Sequence, residues 1–213
     1  MGRENSKTPK WLVWLLIGFY FFLIYQYITN IQYFGFIDGV NLLMHEAGHL
    51  LFSFGGEFIT VLGGTLLQLI MPKLFTGYFL LKKDFLGISF GLAWLSTSLF
   101  NIATYIADAQ EMVLPLVGGD GVGHDWNYLL IQTNLLQVDD QIAWIIRLIS
   151  WAIIIGAIIL ALVPFILNNK KIEKAVTLPE LNVNFSDSVK SQANLSLPVT
   201  SIKRNPNENE SEN

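Results

Sequence analysis

Residues 11–28 of the chain read WLVWLLIGFYFFLIYQYI, and they begin a charge-free run that extends to Ile37. A helix of about 20 apolar residues crosses the hydrocarbon core of a bilayer, so this stretch is long enough for one crossing. The runs 85–107 and 148–167 also lack charged side chains. Together these segments predict a polytopic membrane protein built as an all-α helix bundle.

The composition agrees with a membrane protein whose partner is the lipid bilayer. Of the 213 residues, 52% are apolar and 14% are charged, whereas a soluble domain carries about 25% charge. A soluble globular enzyme is therefore not the default. The net charge of −4 comes without a basic patch, which argues against nucleic acid as a partner. Because the chain has no cysteine, a metal ion would have to be bound by histidine and carboxylate side chains.

Basic residues at both ends of the apolar region predict that both termini are cytoplasmic. Lys7 and Lys10 precede the first run, and Lys170 and Lys171 follow the last; such residues remain on the cytoplasmic side of membrane helices. We therefore expect an integral protein of the plasma (inner) membrane. Its predicted regions are a cytoplasmic N-terminus (1–10), a membrane-embedded domain (11–168) and a disordered polar tail with too little apolar surface to fold (169–213).

About four full spans plus one re-entrant hairpin satisfy this orientation. Lys82 and Lys83 form a further basic pair, which the same rule places in the cytoplasm. The segment 57–81 is interrupted by glycines, Pro72 and Lys73, so we expect it to enter and leave on one side. A single irregular crossing is the alternative for this segment, because periodicity alone does not distinguish the two.

The segment 38–54, DGVNLLMHEAGHLLFSF, contains an H-E-x-x-H motif. On a helix, His45 and His49 lie on one face, so both imidazoles can bind one metal ion, with Glu46 beside the open coordination position. A catalytic Zn²⁺ has three protein ligands and a water, and a nearby carboxylate can take the proton from that water. An acidic residue at mid-membrane costs about 3 kcal/mol on insertion scales. That cost favours a metal site over a chance cluster of polar residues.

Three residues are candidates for the third zinc ligand. His124 is the last of the three histidines and follows a glycine-rich loop, Asp125 is its neighbour, and Asp108 ends the charge-free run 85–107. Each has a purely structural alternative. His124 could be a loop histidine, Asp125 a helix N-cap, and Asp108 a charge at the membrane interface.

The motif and its surroundings resemble intramembrane zinc peptidases of the site-2 protease kind. In that family the H-E-x-x-H sequence lies in a membrane helix, and a later membrane segment supplies an aspartate ligand. The resemblance covers about 38–108 and implies zinc ligands at His45 and His49 and a catalytic base at Glu46. Asp108 stands where the family aspartate is expected, without the family's preceding proline and following glycine.

The resemblance also makes the stretch 63–72, GGTLLQLIMP, similar to the family's membrane-embedded hairpin. The pair Gly63 and Gly64 has a second interpretation, because small residues commonly allow membrane helices to pack closely.

Taken together, the sequence predicts a zinc-dependent hydrolase that cleaves a peptide bond within or near the membrane. Its substrate would be a membrane protein or a peptide, and Glu46 would activate a zinc-bound water. The main alternative is a non-catalytic membrane scaffold or assembly factor with structural zinc, which a closed set of four protein ligands would mark. A zinc hydrolase acting on a lipid or a small amide is a third possibility.

Overall fold

Six α-helices account for most of the residues that the structure describes, and they confirm the predicted all-α fold. The structure is a computed structural model that describes residues 9–30, 33–115 and 123–176, without the side chains of residues 10 and 167–176. No strand occurs within these ranges. The helices are α1 (Lys10–Thr29), α2 (Phe36–Leu51), α3 (Glu57–Lys82), α4 (Phe85–Ala107), α5 (Asp125–Gln132) and α6 (Asp139–Val176). Short 3₁₀ turns occupy Ser53–Gly55 and Leu136–Val138.

Four helical segments in the described part of the chain are long and apolar enough to cross a membrane. They are Trp11–Thr29, Glu57–Lys82, Phe85–Ala107 and Leu136–Ile166. The number agrees with the sequence prediction, but the members differ. The motif helix α2 has 16 residues, fewer than the roughly 20 that a crossing needs.

The prediction of a re-entrant hairpin over 57–81 is wrong, because α3 is one continuous helix of 26 residues. Its glycines mark a close contact with α2 and not a turn. A Cβ atom added to Gly48 would lie 2.8 Å from the Cα of Gly64, so the two backbones touch, as small residues permit. Pro72 is also accommodated inside the helix, where it is fully buried. Membrane helices tolerate such a proline when neighbouring groups compensate for the lost hydrogen bond.

The central helix of the bundle is α4, which lies antiparallel to α3 and α6. Gln68 of α3 donates to the carbonyl of Ser98, and Ser96 donates to the carbonyl of Ser150 in α6. Towards α1, the ring of Tyr27 stacks on Phe100 at 4.4 Å between centroids. Through Ser98, α4 reaches the first half of α3, where α2 also packs.

The C-terminal helix runs further than the sequence suggested. α6 continues to Val176, past residue 168, where the polar tail was expected to begin. The stretch 169–176 contains lysine and glutamate, which are good helix formers. The chain divides into a unit of residues 1–171 and a unit of residues 172–213. The rest of the predicted disordered tail, 177–213, and residues 1–8 of the predicted cytoplasmic N-terminus lie outside the described residues.

Candidate metal centre

The buried face of α2 carries the polar side chains of the centre. Asp38, Asn41 and His45 follow one another at intervals of three and four residues, so they share one face, and all three are buried. Asp38 fixes the start of the helix, since its carboxylate accepts hydrogen bonds from the backbone N–H of Gly35 and from the hydroxyl of Tyr27, both at 2.7 Å. His49 lies one turn beyond His45 and is partly exposed.

Both imidazoles are oriented through their Nδ1 atoms by groups of α3. Nδ1 of His45 lies 3.3 Å from Oε1 of Gln68, and Nδ1 of His49 lies 2.9 Å from the carbonyl oxygen of Thr60. Oxygen atoms of this kind only accept, so each Nδ1 carries a proton. The lone pair of each Nε2 would then become available to a metal ion once Nε2 loses its own proton. Metal-binding histidines have this arrangement, because the second hydrogen bond fixes the tautomer and the ring.

Asp125 is the third side chain that reaches this point. Its Oδ2 lies 2.7 Å from Nε2 of His45 and 3.2 Å from Nε2 of His49. The donor atoms of these three residues all lie within 4.8 Å of one another, which would allow them to hold one metal ion. Of the three sequence candidates for the third ligand, the structure therefore brings only Asp125 to the histidine pair.

The charges of this cluster depend on one another. The hydrogen bond to Asp125 raises the pKa of His49 to about 9, aided by the carbonyl of Thr60 and the charge of Glu46, while burial opposes the shift. Burial would raise the pKa of Asp125, but the hydrogen bonds from His45 and His49 outweigh burial and hold it below its usual value. The cluster thus stabilises positive charge between the three side chains, and a divalent cation held here would supply that charge in place of the protons.

Glu46 and the cluster open onto one large cavity. Its volume is about 840 Å³, within the range of about 300–1,000 Å³ typical of ligand sites. Glu46 is partly buried in the wall of the cavity and lies outside the three-ligand group. Thr65, 5% exposed, also lines it, and its hydroxyl has no hydrogen-bond partner among the described residues. A bound molecule would therefore meet a buried polar group beside the metal position.

Asp108 and His124 contact each other and not the histidine pair. Nε2 of His124 lies 3.1 Å from Oδ2 of Asp108, and Nδ1 of His124 accepts a hydrogen bond from the N–H of Asn127 at 3.2 Å. His124 is therefore the N-cap of α5. The structural alternative that made Asp125 the cap is wrong, because Asp125 is the first residue inside the helix and its side chain points to the histidines.

Sequence reasoning missed Gln68, Thr60 and Tyr105. The hydroxyl of Tyr105 accepts a hydrogen bond from the N–H of Asp125 at 3.2 Å, and its ring lies 5.9 Å from that of His45. Thr60 acts through its backbone, which leaves no mark in the sequence. Gln68 did leave a signal, since a lone amide within an apolar stretch is costly in a membrane and requires a partner.

The three side chains fit zinc by their chemistry. Two imidazole nitrogens and one carboxylate oxygen are a known catalytic ligand set, which leaves the fourth tetrahedral position for water. The Nδ1 contacts to α3 supply the outer hydrogen bonds that such ligands need. Comparisons of the chain with protein-family models, with characterised proteins and with solved structures find no match.

Proposed function

We propose that this chain is an integral membrane zinc hydrolase that cleaves peptide bonds within or near the bilayer. The observation that carries the proposal is the meeting of Nε2 of His45, Nε2 of His49 and Oδ2 of Asp125 at one wall of a large cavity. Glu46 lines the same cavity as a carboxylate that is not part of the ligand group. This is the ligand number and the spare base that metal-assisted hydrolysis requires.

In this proposal one side chain acts as the base and two other groups orient the imidazoles. A zinc ion held here would supply the polarisation of the scissile carbonyl and the acidification of water. Glu46 accepts the proton of the attacking water and returns it to the leaving amine. Gln68 and the carbonyl of Thr60 hold the two imidazoles so that their Nε2 atoms stay aimed at one point.

A non-catalytic scaffold is the second candidate, and the ligand count argues against it. Structural zinc sites are closed by four protein ligands, whereas three side chains of the described residues converge here. The two other candidates, Asp108 and His124, are bound to each other. A zinc ion held by three protein ligands would leave its fourth position to water, which favours catalysis.

The charge of the cavity favours a polypeptide over a phospholipid as substrate. Four acidic residues, Asp38, Glu46, Glu57 and Asp125, line the cavity, and no lysine or arginine does so among the described residues. The sequence itself has no lysine or arginine in 11–72 or 84–146. Phosphate recognition relies on such side chains, so an anionic headgroup would be repelled.

The resemblance to the site-2 protease family is part of the same proposal. His45, His49 and Glu46 keep the roles that the resemblance implies. The aspartate comes from the first turn of α5 and not from the membrane helix α4, which ends before Asp108. We further propose that both termini lie in the cytoplasm and that the membrane is the plasma (inner) membrane, on the basis of the flanking lysines.

The test uses the full chain purified in detergent, with zinc measured by elemental analysis. Hydrolysis is followed with two probes, fluorescein-labelled casein and a dye-quenched apolar peptide in micelles. We expect about one zinc per chain in the wild type. Glu46→Gln should keep the zinc and lose about 10²–10⁴-fold in rate, because it loses the base and keeps the volume. His45→Ala should lose both. Asp125→Ala should lose activity and bind zinc more weakly, because the two imidazoles remain.

Glu111→Gln is the matched control, since Glu111 is exposed in the turn after α4 and should change neither quantity. Equal zinc in wild type, His45→Ala and Asp125→Ala would refute the metal site. Full activity of Glu46→Gln would refute the base, and joint loss of zinc and fold in that variant would favour the scaffold.

A further inference from the structure

We propose that Asp108 and His124 are positioning residues that lock the first turn of α5 onto the end of α4, so that Asp125 reaches the two histidines. The proposal rests on the proposed zinc site and adds the contacts that bring its third side chain, Asp125, into position. Asp125 lies far from His45 and His49 in the sequence. Its position therefore has to be set by contacts between helices.

Every polar side-chain atom of Asp108 and His124 already takes part in a hydrogen bond. Because Nδ1 of His124 accepts from the N–H of Asn127, the ring proton is on Nε2 and is donated to Oδ2 of Asp108. The carboxylate of Asp108 also accepts from the N–H groups of Val113 and Leu114, each at 3.0 Å. Neither ring nitrogen of His124 is left with a free lone pair for a metal.

The pair is buried as well as saturated with hydrogen bonds. Asp108 is 7% exposed and His124 is 6% exposed. A buried carboxylate that lost its donors would carry an unpaired charge, which is strongly unfavourable. The contact is therefore costly to break, and a costly contact can hold a neighbouring residue in place.

α5 needs such a lock because it has only 8 residues. Isolated helices shorter than about 12 residues are marginal, so its position depends on its neighbours. Two more contacts join the same elements. The side-chain amide of Asn127 donates to the carbonyl of Ala109 at 2.8 Å, and the N–H of Asp125 donates to the hydroxyl of Tyr105 at 3.2 Å. The end of α4 thus forms hydrogen bonds with His124 before Asp125 and with Asn127 after it.

A displaced ligand should weaken metal binding without removing the ligand itself. Asp108→Asn places an amide N–H₂ at one of the two oxygen positions, where it faces either the N–H of Val113 or the N–H groups of Leu114 and His124. At least one of the hydrogen bonds that hold the pair is therefore lost. Outer hydrogen-bond partners of metal ligands are worth about 10–100-fold in affinity. We expect a loss of that size for Co²⁺ and Zn²⁺.

His124→Asn separates capping from locking. Asparagine is a good N-cap, so α5 keeps its capped first turn, but the side chain is too short to reach Asp108. If the lock positions Asp125, this variant should lose metal affinity to a similar extent as Asp108→Asn. If His124 acts only as a cap, affinity should be unchanged, and the proposal would be overturned.

The decisive experiment is a double-mutant cycle with Co²⁺ as the probe, in the full chain in detergent. Co²⁺ affinity and the visible absorption bands, which report the coordination geometry, are measured for wild type, Asp108→Asn, Asp125→Ala and the double variant. We expect the bands of Asp108→Asn to shift towards those of Asp125→Ala. We expect the double variant to bind no more weakly than Asp125→Ala, because Asp108 acts through Asp125.

The other outcomes each have a definite meaning. Additive losses in the double variant would overturn the positioning role while leaving the zinc site intact. A loss of binding in Asp108→Asn larger than that in Asp125→Ala would make Asp108 the ligand and also overturn it. A wild type that binds neither Co²⁺ nor Zn²⁺ would overturn the proposed function and this inference together. If Asp108→Asn does not fold, His124→Asn in the same cycle gives the answer.

Discussion

A Cβ atom at position 64 would lie 2.7 Å from Nε2 of His49 and 2.8 Å from Nε2 of His45. Gly64 therefore leaves the space that the Nε2 atoms of both imidazoles occupy. Gly64→Ala should force both rings to move while the backbone of α3 stays helical. Overpacking of this kind costs about 1–3 kcal/mol, which corresponds to about 5–150-fold in zinc affinity. Competition with a chromophoric chelator measures the change.

Gly77→Ala is the matched control on the same helix. No atom lies within 4 Å of a Cβ at that position, and alanine is a better helix former than glycine by up to about 1 kcal/mol. Zinc affinity should be unchanged and thermal stability in detergent slightly higher. Unchanged zinc affinity in Gly64→Ala would mean that the ion is not held between the two Nε2 atoms.

The sequence predicted His45 and His49 as a pair of candidate ligands and could not choose a third candidate. The spacing of His45 and His49 is local, and the geometry of a helix places both on one face. The third ligand depends on how α5 is fixed to α4, which is a tertiary property. Either His124 or Asp125 could have been the N-cap of α5, and only the position where α5 begins shows that His124 is the cap and that Asp125 faces the histidines.

At the scale of helices, glycine and proline misled the interpretation of 57–81. In water these residues indicate turns, but in a membrane small residues mark close helix contacts, as Gly63 and Gly64 do against α2. The better signal lay in α2 itself. Asp38, Asn41 and His45 at three- and four-residue spacing indicate a helix with a buried polar face, which needs polar partners on α4.

Asn41 is the residue that joins α2 to α4. Its Oδ1 accepts from Nε1 of Trp94 at 2.8 Å and from the hydroxyl of Ser98 at 2.9 Å. Its amide N–H₂ donates to Oδ1 of Asn101 at 2.7 Å and to the hydroxyl of Thr97 at 3.3 Å. Asn41→Leu keeps the branched shape of the side chain, removes its hydrogen-bonding groups and leaves their partners unpaired. We expect a loss of about 1–3 kcal/mol, measured by thermal unfolding in detergent.

Two variants test this expectation from opposite sides. Leu43→Ala changes a side chain of α2 that is 63% exposed and should alter stability little. Asn41→Asp keeps both accepted bonds but places a second oxygen against Oδ1 of Asn101 in a buried site, so its loss of stability should be at least as large as that of Asn41→Leu. Equal stability of Asn41→Leu and the wild type would show that the network does not hold α2 in place.

At the scale of the whole helix bundle, the basic pair Lys82 and Lys83 and the candidate site lie at opposite ends of α3. A helix of 26 residues is about 39 Å long. Lys82 and Lys83 lie at its C-terminal end, whereas His45 and His49 contact it at Thr60, Gly64 and Gln68, in its first half. The turn Ser53–Gly55 precedes its first residue. The positive-inside rule then predicts a site on the non-cytoplasmic half of the membrane.

The same arrangement accounts for an even number of crossings. α1, α3, α4 and α6 contain the four spanning segments, so the chain can begin and end in the cytoplasm. The short helix α2 then adds no crossing of its own. The sequence predicted four crossings, the number of segments that are long and apolar enough, and assigned the incomplete crossing to 57–81, when the short element is α2.

The absence of cysteine from the chain allows the membrane orientation to be tested directly. Single-cysteine variants Ser53→Cys, Glu111→Cys and Lys83→Cys introduce one exposed thiol each, and the parent chain measures background. A membrane-impermeant maleimide applied to intact cells should label the first two, because the positive-inside rule places the turn Ser53–Gly55 and the end of α4 at the non-cytoplasmic end. Lys83→Cys should react only after permeabilisation.

Labelling of Lys83→Cys in intact cells, with Ser53→Cys protected, would invert the orientation and place the site on the cytoplasmic side. Labelling of Ser53→Cys and Lys83→Cys from the same side would mean that α3 does not cross the membrane.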